Sequence, residues 1–157
     1  MSAPRVTAIA APLAVFPENA ERREALAEAR RAATGLDEAV LERLVRAFYA
    51  RARTDPQLGP LFDDVGDWEA HIARITDFWS SVALMSGRYH GQPMVAHLKL
   101  PIEPRHFARW LALFEVTARE TCSAAAVDLL MDRAHRIARS LAMGLEIARG
   151  APPPRAA

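Results

Sequence analysis

At 157 residues the chain is long enough for one domain with a hydrophobic core and too short for two ordinary ones. Hydrophobic residues make up 51% and charged ones 25%, a globular composition, and 20 Lys plus Arg against 19 Asp plus Glu leaves no net field to draw nucleic acid or anionic lipid. The single Cys122 excludes an intrachain disulfide and a cysteine-built zinc site.

Residues 1–17 carry Pro4, Pro12 and Pro17 without periodicity, which predicts a loose arm. Within it residues 6–16 resemble a weak signal segment, but Pro12 interrupts the run. Pro17-Glu18-Asn19-Ala20 also lacks the small–x–small pattern that a signal peptidase reads. Residues 19–33 are rich in Ala, Glu and Arg, with Leu26 the one large apolar side chain. Propensity favours helix there, yet little face is available to bury, so a frayed helix ending at Gly35 is expected. Residues 1–35 are therefore read as an N-terminal extension.

The first strongly patterned helix spans 37–53: Asp37 is a good N-cap, and Val40, Leu41, Leu44, Val45, Phe48 and Ala52 keep the 3.6-residue period. Asp55-Pro56 stops it, because the residue before proline is steered out of helical geometry. A turn over 57–62 ends on the apolar anchors Leu61 and Phe62. The second helix, 67–86, has Trp68, Ile72, Ile75, Phe78, Trp79, Val82 and Met85 on its apolar face with His71 among them, and Gly87 as its stop.

Residues 91–101 form a short segment fenced by Gly91, Pro93 and Pro101, in which His97 sits among Met94, Val95, Leu98 and Leu100. Pro104 opens a third helix, with Phe107, Trp110, Leu111, Phe114 and Ala118 as its stripe, ending near Cys122. Ser123 caps a fourth, long helix to about residue 149, and Gly150 with Pro152-Pro153-Pro154 ends it in a disordered tail, 150–157. No stretch alternates like a strand, and no apolar run reaches the roughly 18 residues of a membrane span. The expectation is an all-α domain over 36–149, soluble and cytoplasmic, with neither nucleic acid nor membrane as partner.

Tyr49, His71, His97, Trp110 and Trp79 are polar or partly polar groups on apolar faces. Each, taken singly, is more simply a core residue whose ring atoms find a local partner. As a set they ask for more. There is no nucleophile–base motif, phosphate loop or HExxH, and the two face-directed histidines stand 26 residues apart, too far for a compact zinc site. A helical protein can place two such histidines on either side of a flat cofactor, and haem iron needs one neutral imidazole plus a polar group governing the sixth position.

Phe48-Tyr49, Asp55-Pro56-x-Leu58-Gly59-Pro60-x-Phe62, Trp68-x-x-His71, Phe78-Trp79, Tyr89-x-Gly91-x-Pro93, His97-Leu98 and Phe107-x-x-Trp110-Leu111-x-Leu113-Phe114 occur in this order. The series resembles the truncated haemoglobins, and among them group III, over residues 36–147. The resemblance implies a two-over-two helical sandwich around haem b, with His97 as the iron ligand and a minimal helix carrying it. It implies Tyr49, His71 and Trp110 as distal ligand-binding residues, with His71 acting as gate, bond donor or even a second iron ligand. Phe62 matches the phenylalanine that wedges the haem. Ile75, Phe78, Trp79, Met94 and Leu98 are expected to wall it.

Of the remaining histidines, His90 is next in line for iron, whereas His106 and His135 are expected to face solvent. Arg88, Lys99 and Arg105 are candidate partners for the haem propionates.

The functional expectation is a haem globin that binds O2, NO or CO. A phenol OH and an indole NH aimed at a polarised diatomic suit NO dioxygenase-like or peroxidase-like detoxification better than oxygen transport. A reductase would then be a partner. The alternative is a haem-based sensor, or a partner-binding helical module without catalysis.

Overall fold

The computed structural model of the protein describes residues 15–150, with side chains from Asn19 onward. The elements are α1 (Val15–Thr34), α2 (Glu38–Ala52), a 3-10 turn (Gly59–Phe62), α3 (Trp68–Leu84), α4 (Pro93–Leu98), α5 (Pro104–Thr121) and α6 (Ala124–Ala148). There is no strand among the described residues, as an all-α chain requires. The arm expected over 1–17 lies almost entirely outside the described residues, as does the tail over 150–157.

Helix α2 begins where Asp37 accepts a hydrogen bond from the Val40 amide at 2.8 Å, satisfying one of the donors a helix N-terminus leaves over. Its buried stripe of Leu41, Leu44, Val45, Phe48, Tyr49 and Ala52 packs against both α3 and α5. Helices α5 and α6 pair in turn, so two helix pairs enclose one core centred on Leu41, Leu44, Leu84, Phe114 and Leu130. The two-over-two expectation is met.

The stop at Asp55-Pro56 does more than end a helix. The Asp55 carboxylate, with 4% of its side chain exposed, accepts from the Gln57 and Leu58 amides at 3.1 and 3.0 Å. It also accepts from the Arg109 guanidinium on α5 at 2.6 and 2.9 Å. Gly59 completes this corner, since a Cβ there would stand 2.8 Å from the Arg53 carbonyl oxygen. The Arg109 guanidinium holds the Asp55 carboxyl below its ordinary range despite burial, which pushes the other way.

A carboxyl depressed in the folded state contributes stability above the unfolded value, about pH 4, and that contribution is lost as pH falls through the folded value. Asp55→Ala is expected to cost about 2 kcal/mol at neutral pH, by loss of bonds to a charged group and two loop amides. Urea unfolding at pH 7 and in acid checks this, the gap between the two proteins closing in acid.

Two elements differ from expectation. Helix α1 is a continuous helix of 20 residues from Val15, not a frayed one. Polar bonds dock it where apolar surface is scarce: Arg30 donates to the Ala83 carbonyl at the end of α3 (3.2 Å), and Ser123 donates to the Thr34 carbonyl (2.6 Å). Ala27, 5% exposed, supplies the close contact.

Helix α3 ends at Leu84, earlier than Gly87 suggested, because Met85 takes the left-handed conformation (φ 53°). Ser80 and Ser86 hydroxyls meet at 2.6 Å and tie that turn back onto the helix.

Short α4 is held from α6. Met94 occupies the space where Gly144 lacks a side chain, and a Cβ at that position would collide with the methionine. Gly144→Val is therefore expected to push the Met94 side chain off α6 and loosen α4, while leaving α2, α3 and α5 packed. Near-unchanged far-ultraviolet circular dichroism with raised hydrogen exchange over 93–98 would show it.

Candidate functional site

The helix pairs leave a cavity of about 330 Å³ between them, within the range of roughly 300–1,000 Å³ typical of small-molecule sites. Tyr49 from α2, Phe62 from the 3-10 turn, His71, Ile75, Phe78 and Trp79 from α3, His97 from α4 and Trp110 from α5 all line it. Two expected wall residues do not. Met94 is turned onto Gly144, and Leu98, 43% exposed, lies on the outer face of α4. A six-residue helix has a narrow inner face, and His97 and Ala96 with Pro93 take it.

His97 is held by its own helix. Its Nδ1 bonds the Pro93 carbonyl one turn earlier at 2.5 Å, and a carbonyl can only accept. The proton is thus on Nδ1, and Nε2 keeps its lone pair. This is the tautomer a metal-binding imidazole uses, held by its backbone partner. Pro93 contributes twice, starting α4 and presenting the carbonyl.

Tyr49 and His71 meet through the phenol oxygen and Nε2 at 3.0 Å. The phenol thus has its protein partner on another helix, α3. Phe62 and Trp68 stand edge-on to Tyr49, both at 5.4 Å between ring centres, and Trp68 lies 5.5 Å from the His71 ring. The Arg53 guanidinium covers Trp68 from outside at 4.2 Å.

Burial holds His71 below the ordinary histidine range, helped by the Arg74 charge, so its ring is neutral near pH 7. Burial raises Tyr49 far above the usual tyrosine value, and Arg74 offsets this only in part. The phenol has one hydrogen, available either to His71 or to a ligand in the cavity.

On the α5 side Trp79, Phe114 and Trp110 stack, with Trp79–Phe114 at 4.8 Å and Phe114–Trp110 at 5.3 Å. The stack fixes the Trp110 ring, whose N–H has no protein acceptor among the described residues.

Of the lining residues not expected from sequence, three bear on the chemistry: Arg74, Tyr89 and His106. Arg74 lies one turn after His71 on the same face of α3, and that spacing could have flagged it. Arg88, Lys99 and Arg105 do not line the cavity; Arg88 and Arg105 are paired with Glu38 and Glu103. Tyr89 closes over Phe78 at 5.2 Å, with Gly91 leaving room for its hydroxyl.

The third is His106, expected in solvent but 6% exposed, because α5 turns its first-turn face inward along with Trp110. His90 and His135 are exposed, and neither lines the cavity.

Comparison with known proteins decides the family. Residues 32–142 match the family described as bacterial-like globin. The chain belongs to that family. It is 36% identical over 104 residues to the group 3 truncated hemoglobin ctb of Campylobacter jejuni, covering 62% of this chain and 82% of that protein. The crystal structure of a group III truncated hemoglobin from Campylobacter jejuni superposes with a TM-score of 0.65 at 31% identity, covering 68% of this chain and 89% of the other.

The resemblance to group III truncated haemoglobins drawn from the sequence motifs is borne out. Membership of the globin family supports haem binding and implies diatomic gas ligands. No helix among the described residues is long and apolar enough to cross a membrane.

Proposed function

We propose that this globin binds haem b with His97 as its iron ligand, takes O2, NO or CO at the remaining position, and holds the gas with Tyr49 and Trp110. The observation that carries the reading is the His97–Pro93 bond, which leaves an Nε2 lone pair on the wall of the cavity that Tyr49 and Trp110 also line. Haem, when bound, supplies a ferrous iron that takes diatomic ligands.

The chain's own groups do the rest. Phe62, Ile75, Phe78 and Trp79 exclude water and pack the macrocycle. Arg74, a cation on the cavity lining, is the natural partner of a haem carboxylate. Met94 acts through position, seating α4 so that His97 stays in place. The Trp110 N–H and the Tyr49 O–H, both on the cavity lining, would donate to a gas ligand polarised by the iron.

Two such donors slow release, which favours reaction over delivery. The protein then acts in detoxification of NO or reactive oxygen in the cytoplasm, with a separate reductase as partner. Titrating haem into the apoprotein tests binding, with an equimolar end point expected. Adding NO to the oxygenated protein tests the chemistry: rapid nitrate formation supports detoxification, and slow formation restricts the protein to gas binding.

A further inference from the structure

The cavity contains a third histidine, one that neither iron nor the gas accounts for. His106 sits in the first turn of α5 and is 94% buried by its 6% exposure. Its Nδ1 accepts the Glu103 backbone N–H at 2.8 Å. An amide N–H can only donate, so in the neutral ring Nδ1 carries the lone pair and Nε2 carries the proton. Backbone capping thus gives His106 the tautomer opposite to that of His97. It has no lone pair to offer a metal, and it has an N–H to donate.

That N–H has no protein acceptor, although no fully sealed side-chain polar atom among the described residues lacks one. Since a fully sealed nitrogen would have a partner, Nε2 keeps some access, and the space that this buried side chain lines is the cavity. Its neighbours in the lining, Leu100, Ile102 and Phe107, offer no side-chain acceptor. His106 lies four residues before Trp110 on the same helix face, displaced by about one turn, roughly 5–6 Å. It stands towards the end of α5 where the Leu100–Ile102 link passes. Iron protoporphyrin IX is apolar over its faces, and its only peripheral acceptors are two carboxylates.

We propose that His106 is a haem-carboxylate ligand: its Nε2–H donates to one propionate, while Nδ1 caps α5. This rests on the haem reading above. Arg74, on α3, remains available for the other carboxylate. The Glu103 cap thereby becomes part of the haem site, since it sets which nitrogen carries the proton.

The test is haem loss to an excess of an acceptor apoglobin, measured on the reconstituted full chain with ordinary haem and with haem whose propionates are methyl esters. Asn at this position retains an acceptor where Nδ1 stood but does not reach the cavity. Gln places a donor where Nε2 stood but gives up the cap. His106→Asn is expected to lose ordinary haem about tenfold faster than the parent, and to lose the ester haem at the parent's rate. His106→Gln is expected to retain ordinary haem better than His106→Asn, while unfolding at lower urea as the apoprotein.

Equal effects of His106→Asn on both haems, or none on either, would overturn the assignment, as would the reverse ranking of the two variants. If His106→Asn fails to fold, His106→Gln compared across the two haems still decides, with a parent-like difference expected. A parent chain that takes up neither haem overturns the haem reading itself. That result is distinct from a parent that binds both haems and variants that do not discriminate.

Discussion

His97→Ala is expected to abolish stable haem uptake, leaving a folded, colourless protein whose Soret absorption returns in part when free imidazole is added. The expectation follows from what His97 does in the fold. One nitrogen is engaged by the Pro93 carbonyl and the ring lines the cavity, so removal takes away the proposed iron ligand and only one local hydrogen bond. The ring is half-buried, and α4 remains pinned by Met94 against Gly144, so the apoprotein loses little stability.

No other histidine is ready to substitute. His71 is engaged by Tyr49, the His106 proton is on Nε2, and His90 is outside the cavity. A helical module without haem would show no change on this substitution beyond slight destabilisation. Far-ultraviolet circular dichroism alongside visible absorption separates the two.

Tyr49→Phe and Trp110→Phe are each expected to speed O2 dissociation by about tenfold or more, since a hydrogen bond to a charged acceptor in a buried site contributes roughly 1.5–3 kcal/mol. The two are not expected to be equivalent. The Trp110 N–H has no competing protein acceptor and is fixed by the Phe114 stack, so its loss is felt in full. The Tyr49 hydroxyl instead lies 3.0 Å from His71 Nε2, which in the Nδ1–H tautomer of the neutral ring accepts the phenol hydrogen and competes for it.

His71→Leu should therefore slow O2 release, by freeing the phenol hydrogen for the ligand. Faster release in His71→Leu would mean that His71 is itself a donor to the gas. Stopped-flow release kinetics on the three variants distinguish these roles. Unchanged kinetics in Tyr49→Phe and Trp110→Phe together would remove both donors from the account.

Much of this was legible in the chain because local signals agreed with each other. His97 stands out as one imidazole between Pro93 and Pro101, and the stripe of α2 brings Phe48 and Tyr49 inward by period alone. What sequence did not reveal depends on pairs remote along the chain. The Tyr49–His71 bond joins residues 22 apart on different helices, and no helix-by-helix pattern reports whether two polar groups satisfy each other.

Met94 looked like a haem wall because it is apolar and near His97, yet its place is set by an absent side chain at Gly144, 50 residues on. His106 was hidden by its charged surroundings, Arg105 and Arg109. The informative signal was its four-residue spacing from Trp110, which puts both on one face of α5. Helix α1 failed the apolar-face criterion because side-chain bonds to backbone carbonyls of α3 and of its own C-terminus dock it, and these have no periodic signature.

The proposed centre is a haem iron held by His97 with its sixth position open to a gas. The absorption spectrum of the reduced, haem-loaded protein before and after adding CO tests it most directly. The Tyr49–His71 pair keeps His71 engaged, so the predicted result is a five-coordinate ferrous spectrum that converts promptly to a sharp CO form. A colourless protein, or a six-coordinate ferrous spectrum that CO does not displace, would contradict it.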